Sequence, residues 1–257
     1  MISFLKKIIL AIVFFPIIFT GFYMIFPQIS VLKENNPEKT SFMKYREREW
    51  HSRGIEKKIV QIWVPLSRIS PQIVKAVIIS EDDKFWTHEG FDFEEMHKAL
   101  DKDIKRKKFK YGASTISQQL AKNLYLTPAK NPIRKLKEFI ITWRIEHTLT
   151  KKRILELYLN VAEWGDGIFG IEAAAHYYFG KSAASLGPLE AARLAAVLPN
   201  PRKYSARNPS KYIENRAQRI YSIMAHRDSS LYHLDEIREN DKPPAEKPEK
   251  PVENNKE

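Results

Sequence analysis

The sequence predicts a mainly α-helical domain preceded by a membrane-spanning helix. Three observations lead there. About eight segments repeat apolar residues at helical spacing behind recognisable caps, no convincing run alternates apolar and polar residues as a strand would, and residues Ile8 to Phe26 form an uncharged apolar stretch. At 257 residues the chain is long enough to bury a proper core. Lys and Arg exceed Asp and Glu by 43 − 31 = 12, which suits an anionic partner without choosing among nucleic acid, acidic lipid and diphosphate. There is no cysteine, hence no disulfide framework and no thiolate metal site.

The run IILAIVFFPIIFTGFYMIF is of the length needed to cross a bilayer, and Pro16 is tolerable within it as a kink. Lys6 and Lys7 precede it and favour a cytoplasmic N-terminus, although Lys33 on the far side weakens that bias. A cleaved signal peptide is the competing reading; the run is long for a signal core and no clean small-x-small site follows. The expected organisation is a cytoplasmic stub and anchor at 1–27, a stalk at 28–59, a globular domain at 60–228 and a disordered tail at 229–257. The stalk is broken at KENNPEKT, and its FMKYREREW segment either lies at the membrane surface or packs on the domain. The tail, DKPPAEKPEKPVENNKE at its end, is proline-rich, charged and free of aromatics.

Ser70 and Pro71 start the first core helix, a capping hydroxyl followed by a residue whose missing N–H costs nothing in the first turn. Val74, Val77, Ile78 and Glu81 then fall at i, i+3, i+4 and i+7, so Glu81 shares the inward apolar face. A carboxylate there is disfavoured by desolvation and by the negative end of the helix dipole, and both raise its pKa towards the range of a proton-transfer group. The alternative is that Glu81 has unwound into a solvated helix end. Asp92 and Glu95 make a capping-box-like start for a helix through roughly Ile104, which ends in the cations of KRKKFKYG, Lys105, Arg106, Lys107, Lys108 and Lys110 beside Gly112. That cluster is either a loop able to meet phosphate or lipid head groups or an ordinary solvated face.

In GASTISQQLAKNLYL, Ser114 or Thr115 can cap a helix whose free N–H groups would form an anion site. Asn131 and Pro132 start a long helix with Ile133, Leu136, Ile140, Trp143 and His147 on one stripe. Glu138 lies off that stripe, and pattern alone makes it a solvent-facing ion pair with Arg134. Thr150 caps a helix with Ile154, Leu155, Tyr158 and Leu159 on its core face, the turn GDGIFG leads to IEAAAHYYFG, and Pro188 starts the alanine-rich LEAARLAAVLP. A last helix runs from Asn208 and Pro209 to about Arg227. His88, His97, His147 and His176 show no metal-ligand spacing and read as packed or surface residues.

SEDDKFWTHEGFD and GASTISQQLAKNLYL, followed by RKLKE, KKRILELYLNVAEWGDGIFGIEAAAHYYFGK and LEAARLAAVLPNPRKYSARNP, together resemble the ordered signatures of the peptidoglycan glycosyltransferases over roughly Val60 to Tyr221. These are the lipid II polymerases found alone or joined to a penicillin-binding domain; the length of this chain suits the monofunctional form. The resemblance implies a lysozyme-like, two-lobed helical fold anchored in the inner membrane, with the catalytic domain on the periplasmic or external side. It implies lipid II, the growing glycan strand and the membrane as partners, with cell-wall synthesis and division proteins besides, and no nucleic acid. Glycosyl transfer would invert the donor MurNAc C1, release undecaprenyl diphosphate and leave a β-1,4-linked strand.

Residue by residue, the resemblance makes Glu81 the base and Glu138 the second acid, the latter assisting the leaving group or holding a divalent ion such as Mg or Mn. Asp82 orients the site or tunes the base, unless it is simply a helix-end residue. Ser114, Thr115, Gln118, Gln119, Lys122 and Asn123 fall on positions lining the donor end of the cleft, and Arg134 and Lys135 become diphosphate partners. Where the family usually has threonine this chain has Ser117. Two rivals are a lytic transglycosylase, helical with a cleft glutamate but without need of diphosphate-directed cations, and a non-catalytic membrane-anchored cell-wall scaffold.

Overall fold

Ser70 and Pro71 open the helix on which the core is assembled. In the computed structural model, which describes residues 14, 18–106, 114–129, 131–227 and 232, Ser70 Oγ accepts from Gln72 N at 3.3 Å and donates to the Leu186 carbonyl at 2.8 Å. The helix, α2 (Pro71–Glu81), buries Ile73, Val74, Ala76, Val77 and Ile78, so it is enclosed on more than the one predicted face. Each such aliphatic side chain contributes on the order of 1.5–3 kcal/mol of transfer free energy. Two helices close over it, α8 (Pro188–Val197) and α9 (Lys211–His226). Ala191, Ala192, Ala195 and Ala196 are all buried, and their small side chains let the α8 backbone come close to α2.

A second set of helices packs around α4 (Ile116–Tyr125): α1 (Ser41–Ser52), α5 (Pro132–Thr148) and α6 (Lys151–Val161). The remaining helices are α3 (Phe93–Arg106) and α7 (Ile171–Phe179). One apolar core runs through α2, α4, α5, α6, α8 and α9, while Phe42 and Met43 of α1 cluster separately with Phe169. The caps fall where the sequence places them: Thr115 accepts from Gln118 N at 3.2 Å, Asn131 from Arg134 N at 2.7 Å, Thr150 from Arg153 N at 3.2 Å and Asp92 from Glu95 N at 2.9 Å.

A small sheet, unanticipated from sequence, is made of β1 (Val60–Gln61), β2 (Glu163–Gly165) and β3 (Ile168–Phe169) in the order β1-β3-β2. Its strands are too short to show alternation. Asn160 of α6 holds the sheet and the segment after β1: its carbonyl accepts from Gln61 Nε2 at 2.7 Å, its Oδ1 accepts from Val64 N at 3.0 Å and its Nδ2 donates to Val64 O at 2.8 Å. Gly170 follows β3 at φ +80°, where an added Cβ would stand 2.8 Å from the Asn160 carbonyl oxygen, so glycine is required there twice over.

Residues 28–59 lie on the domain: Ile29 and Leu32 enter the core, Arg153 Nε donates to the Leu32 carbonyl at 2.8 Å, and Phe42, Met43 and Trp50 of α1 are buried. The FMKYREREW segment therefore packs. In α5 the stripe of Ile133, Leu136 and Trp143 is exposed, together with Phe139, while Glu138, Ile140, Ile141, Thr142 and Ile145 are buried. The expected inward stripe thus faces outward except at Ile140. Glu138 lies on the buried face, because Arg134 and Lys135 neutralise it there.

Residues 18–25 are helical, and among the described residues no helix is long and apolar enough to cross a membrane. The rest of the predicted span, Lys107, Lys108, Lys110 and Gly112 of the basic cluster, and the tail from Asp241 lie outside the described residues.

Candidate active site

The α2 helix stops at Glu81 because the next residue, Asp82, turns to an extended φ of −164°. Glu81 is the last inward-facing position, its side chain 10% exposed at the edge of a cavity of about 300 Å³ that is also lined by Ser80, Asp82, Lys84, Ser114 and Thr115. Oε2 accepts from Gln119 Nε2 at 3.0 Å, Oε1 accepts from Ser80 Oγ at 3.1 Å, and Arg216 of α9 stands 3.6 Å from Oε1. Burial pushes the carboxyl above its ordinary pKa, and the Gln119 bond, Arg216, Ser80 and Lys122 only partly oppose that. Glu81 is therefore enclosed, and the solvated helix-end alternative does not occur.

Asp82 also lines this cavity, but its carboxylate is buried and bonded within the fold. Its Oδ2 accepts the Ile116 backbone N–H at 2.8 Å, at the first turn of α4, and its Oδ1 lies 2.8 Å from His88 Nε2. Gly90 N donates to His88 Nδ1 at 3.0 Å, so the ring hydrogen sits on Nε2 and is directed at Asp82. The N–H group expected to await an external anion at this helix start is thus already held by the protein's own carboxylate, which fits the orienting role for Asp82. His88 is a packed residue with a defined task.

Among the other positions carried by the resemblance, Thr115 is the α4 cap and Oγ1 donates to the Gly90 carbonyl at 2.7 Å. Gln118 is buried, with Oε1 accepting from Thr115 N at 3.0 Å, so its carboxamide oxygen completes the capping box. Ser117 is fully buried and its hydroxyl donates to Glu146, which also pairs with Lys151 at 2.8 Å. Gln119 faces the site from both ends: Nε2 reaches Glu81, and Oε1 accepts from Tyr158 Oη at 3.1 Å. Gln119, Lys122, Asn123 and Tyr158 also line a second cavity of about 200 Å³ with Arg46 and Arg202.

Lys122 joins the two acids. Burial lowers its pKa, and the carboxylates of Glu138 and Glu81 oppose that while Arg134 and Lys135 reinforce it. All these groups therefore share one electrostatic neighbourhood. Glu138, with a side chain only 3% exposed, receives Arg134 on Oε2 and Lys135 on Oε1. Lys135 Nζ also lies 3.5 Å from Ser114 Oγ, which links this cluster to the Glu81 cavity. With both carboxylate oxygens taken by cations, Glu138 holds Arg134 and Lys135 in place. Among the described residues no three His, Asp or Glu side chains gather as a metal site.

Sequence reasoning missed Tyr158, Arg216 and Ser80. A hydroxyl on the otherwise aliphatic core face of α6 was the available signal for Tyr158. Arg216 is 135 positions from Glu81, which no local pattern reports.

A family model described as transglycosylase matches residues 49–225. Among similar proteins, one from Dechloromonas aromatica (strain RCB) is 54% identical over 169 residues, covering 66% of this chain and 73% of the relative. One from Azoarcus sp. (strain BH72) is 47% identical over 201 residues, covering 78% and 87%, and one from Nitrosospira multiformis is 43% identical over 212 residues, covering 82% and 92%. All three are named biosynthetic peptidoglycan transglycosylase. With the matched region spanning the helices that carry Glu81, Gln119, Lys122 and Glu138, the chain belongs to the transglycosylase family.

Proposed function

We propose that the protein is a peptidoglycan glycosyltransferase that polymerises lipid II into glycan strands, with Glu81 as the base. The observation that carries the base assignment is a carboxyl enclosed at the end of a buried helix, its pKa raised by burial, beside a cavity and held by Gln119. Such a group is poised to take the acceptor hydroxyl proton as the new bond to the donor MurNAc C1 forms, with inversion. The leaving diphosphate already carries negative charge, so it needs positive groups more than an acid. Arg134 and Lys135, oriented by Glu138, supply them, and Lys122 extends the positive field towards Glu81. The two helix sets, around α2 and around α4, are read as the lobes of a lysozyme-like domain.

The substrate's lipid has a matching surface. A groove of about 650 Å³ is lined by Phe22, Phe26, Tyr125, Ile133 and Ile141, with the diphosphate partner Arg134 at its wall. Outward-facing Ile133, Leu136, Phe139 and Trp143 extend this apolar surface along α5. The enzyme works in the cell envelope; that stripe and the apolar run of residues 8–26 support attachment to the inner membrane with the domain on its outer side.

The test is polymerisation of labelled lipid II by the detergent-solubilised chain, beside Glu81→Gln. Polymer from the wild type and a loss of about 10²–10⁴-fold in the folded variant are expected. A folded wild-type protein that makes no polymer would sink the reading, and a variant of undiminished rate would remove Glu81 from the chemistry.

A further inference from the structure

Among the described residues Gln119 is the one carboxamide that touches the proposed base, and an amide side chain can present either of its ends. If Nε2 faces Glu81 it donates to the carboxylate; turned over, Oε1 would face it and repel the negative charge. Nε2 also lies 3.4 Å from the Ser114 carbonyl, a long contact that favours the donating orientation, and a shorter selector stands on the other side of the group. Tyr158 Oη lies 3.1 Å from Gln119 Oε1, and Nε2 lies 3.0 Å from Glu81 Oε2. The phenol is buried on the core face of α6, between Leu157 and Leu159, which are fully buried. A rigid aromatic ring in such a setting keeps its hydroxyl in one place, and burial, with Glu81 and Asp82 adding to it, pushes the phenol's pKa well up, so it remains a donor. A donor at that point accepts only the carboxamide oxygen as partner.

We infer that Tyr158 is a positioning residue for the base: its hydroxyl fixes the orientation of Gln119, and through Gln119 the donor that stabilises the Glu81 carboxylate. The inference rests on the reading of Glu81 as the base. Tyr158 does not touch Glu81 by any direct hydrogen bond among the described residues; it acts through the carboxamide.

The groups facing Glu81 from each neighbouring element decide what its loss would do. Ser80 of α2 donates to Oε1, and is itself held by Arg216 of α9 at 2.9 Å. Arg216 and, from α4, Lys122 supply positive charge. Asp82, the adjacent acid, is bound to His88 and Ile116 N. The charged residues of α8, Glu190 and Arg193, are paired with Lys181 and Glu214. Gln119 is neutral: its hydrogen bond opposes the effect of burial on Glu81 without adding charge, more than any other neighbour does. Releasing the carboxamide therefore raises the pKa of Glu81 further, and the catalytically competent carboxylate appears only at higher pH.

The experiment is the pH profile of kcat/KM for lipid II polymerisation, with the full chain in detergent, for wild type, Tyr158→Phe, Gln119→Ala and the double variant. In Tyr158→Phe the acidic limb moves up by about one pH unit, the size of shift expected when a carboxylate loses one hydrogen-bond donor. In the Gln119→Ala background, Tyr158→Phe moves the limb no further, since the intermediary is gone. A limb in Tyr158→Phe that stays at the wild-type position, with rate lowered equally at all pH values, overturns the inference and leaves Tyr158 a packing residue. An additional shift in the double variant overturns it too. Should Tyr158→Phe fail to fold, 3-fluorotyrosine at position 158 keeps the ring and hydroxyl while strengthening the donor; its limb moves down, and an unmoved limb overturns the inference. Failure of wild type to polymerise at any pH is a different result, which removes the proposed function itself.

Discussion

Glu138→Gln separates the two acids by what each does. Its carboxylate, 3% exposed, holds Arg134 (17% exposed) and Lys135 (47% exposed). Breaking a fully buried ion pair by removing one partner costs about 3–5 kcal/mol, chiefly because a charge is left stranded. Lys135 can turn to water and glutamine keeps one acceptor for Arg134, so the expected loss is smaller, about 2 kcal/mol. That is a fall in Tm of about 4–8 °C for a domain of this size. Thermal unfolding by circular dichroism in detergent reads it directly. In the lipid II assay, Glu138→Gln should lower kcat/KM by about tenfold at every pH, without moving the acidic limb, because the cations it orients lose their alignment while Glu81 still takes the proton. A Tm within about 1 °C of wild type would refute the bridging role inferred from the geometry. Disappearance of the acidic limb would make Glu138, not Glu81, the titrating base.

Two further outcomes follow from other parts of the fold. Gly170→Ala should cost about 1–3 kcal/mol, from the left-handed φ together with the close Asn160 carbonyl, and appear as a lowered urea midpoint with polymerisation retained in the folded fraction; an unchanged midpoint would contradict the backbone geometry. Replacing Leu136 and Trp143 together by serine should leave Tm within about 3 °C of wild type, since these side chains are already exposed and Phe139 keeps its stack on Phe91, yet raise the KM for lipid II in detergent several-fold. An unchanged KM would leave the α5 stripe without its proposed lipid partner.

Much of the architecture was legible because it is written locally. Ser70, Asp92, Thr115, Asn131 and Thr150 cap helices at the positions their chemistry dictates, and the i, i+3, i+4, i+7 register of Val74, Val77, Ile78 and Glu81 put the acid on an inward face. The α5 helix was misread for an equally physical reason. Periodicity identifies an apolar stripe but not which side of it the core occupies, and the ordinary rule that the apolar side faces inward fails where an acid is neutralised by Arg134 and Lys135 and the aliphatic stripe is turned outward. The sheet escaped notice because strands of two or three residues carry no period. Tyr158 and Gln119 are 39 positions apart, and Arg216 is farther still from Glu81, so those contacts exist only once α2, α4, α6 and α9 have come together.

At the break after Glu81 two consecutive acids line one cavity with different partners, Glu81 held by Gln119 and Asp82 at the joint with α4. Asp82 pins the first amide of α4 immediately after the base, and Gln119 follows three residues later on the same helix. The base and the group that steadies it are thus joined through one hydrogen bond, from the Ile116 N–H to the carboxylate next to Glu81, one helical turn before Gln119. If α4 tilts as substrate enters or product leaves, the segment bearing Glu81 is drawn along with it, and the spacing between carboxylate and carboxamide is carried through the motion instead of being rebuilt in each turnover. Asp82→Ala would remove that pin while leaving Glu81 and Gln119 themselves unaltered.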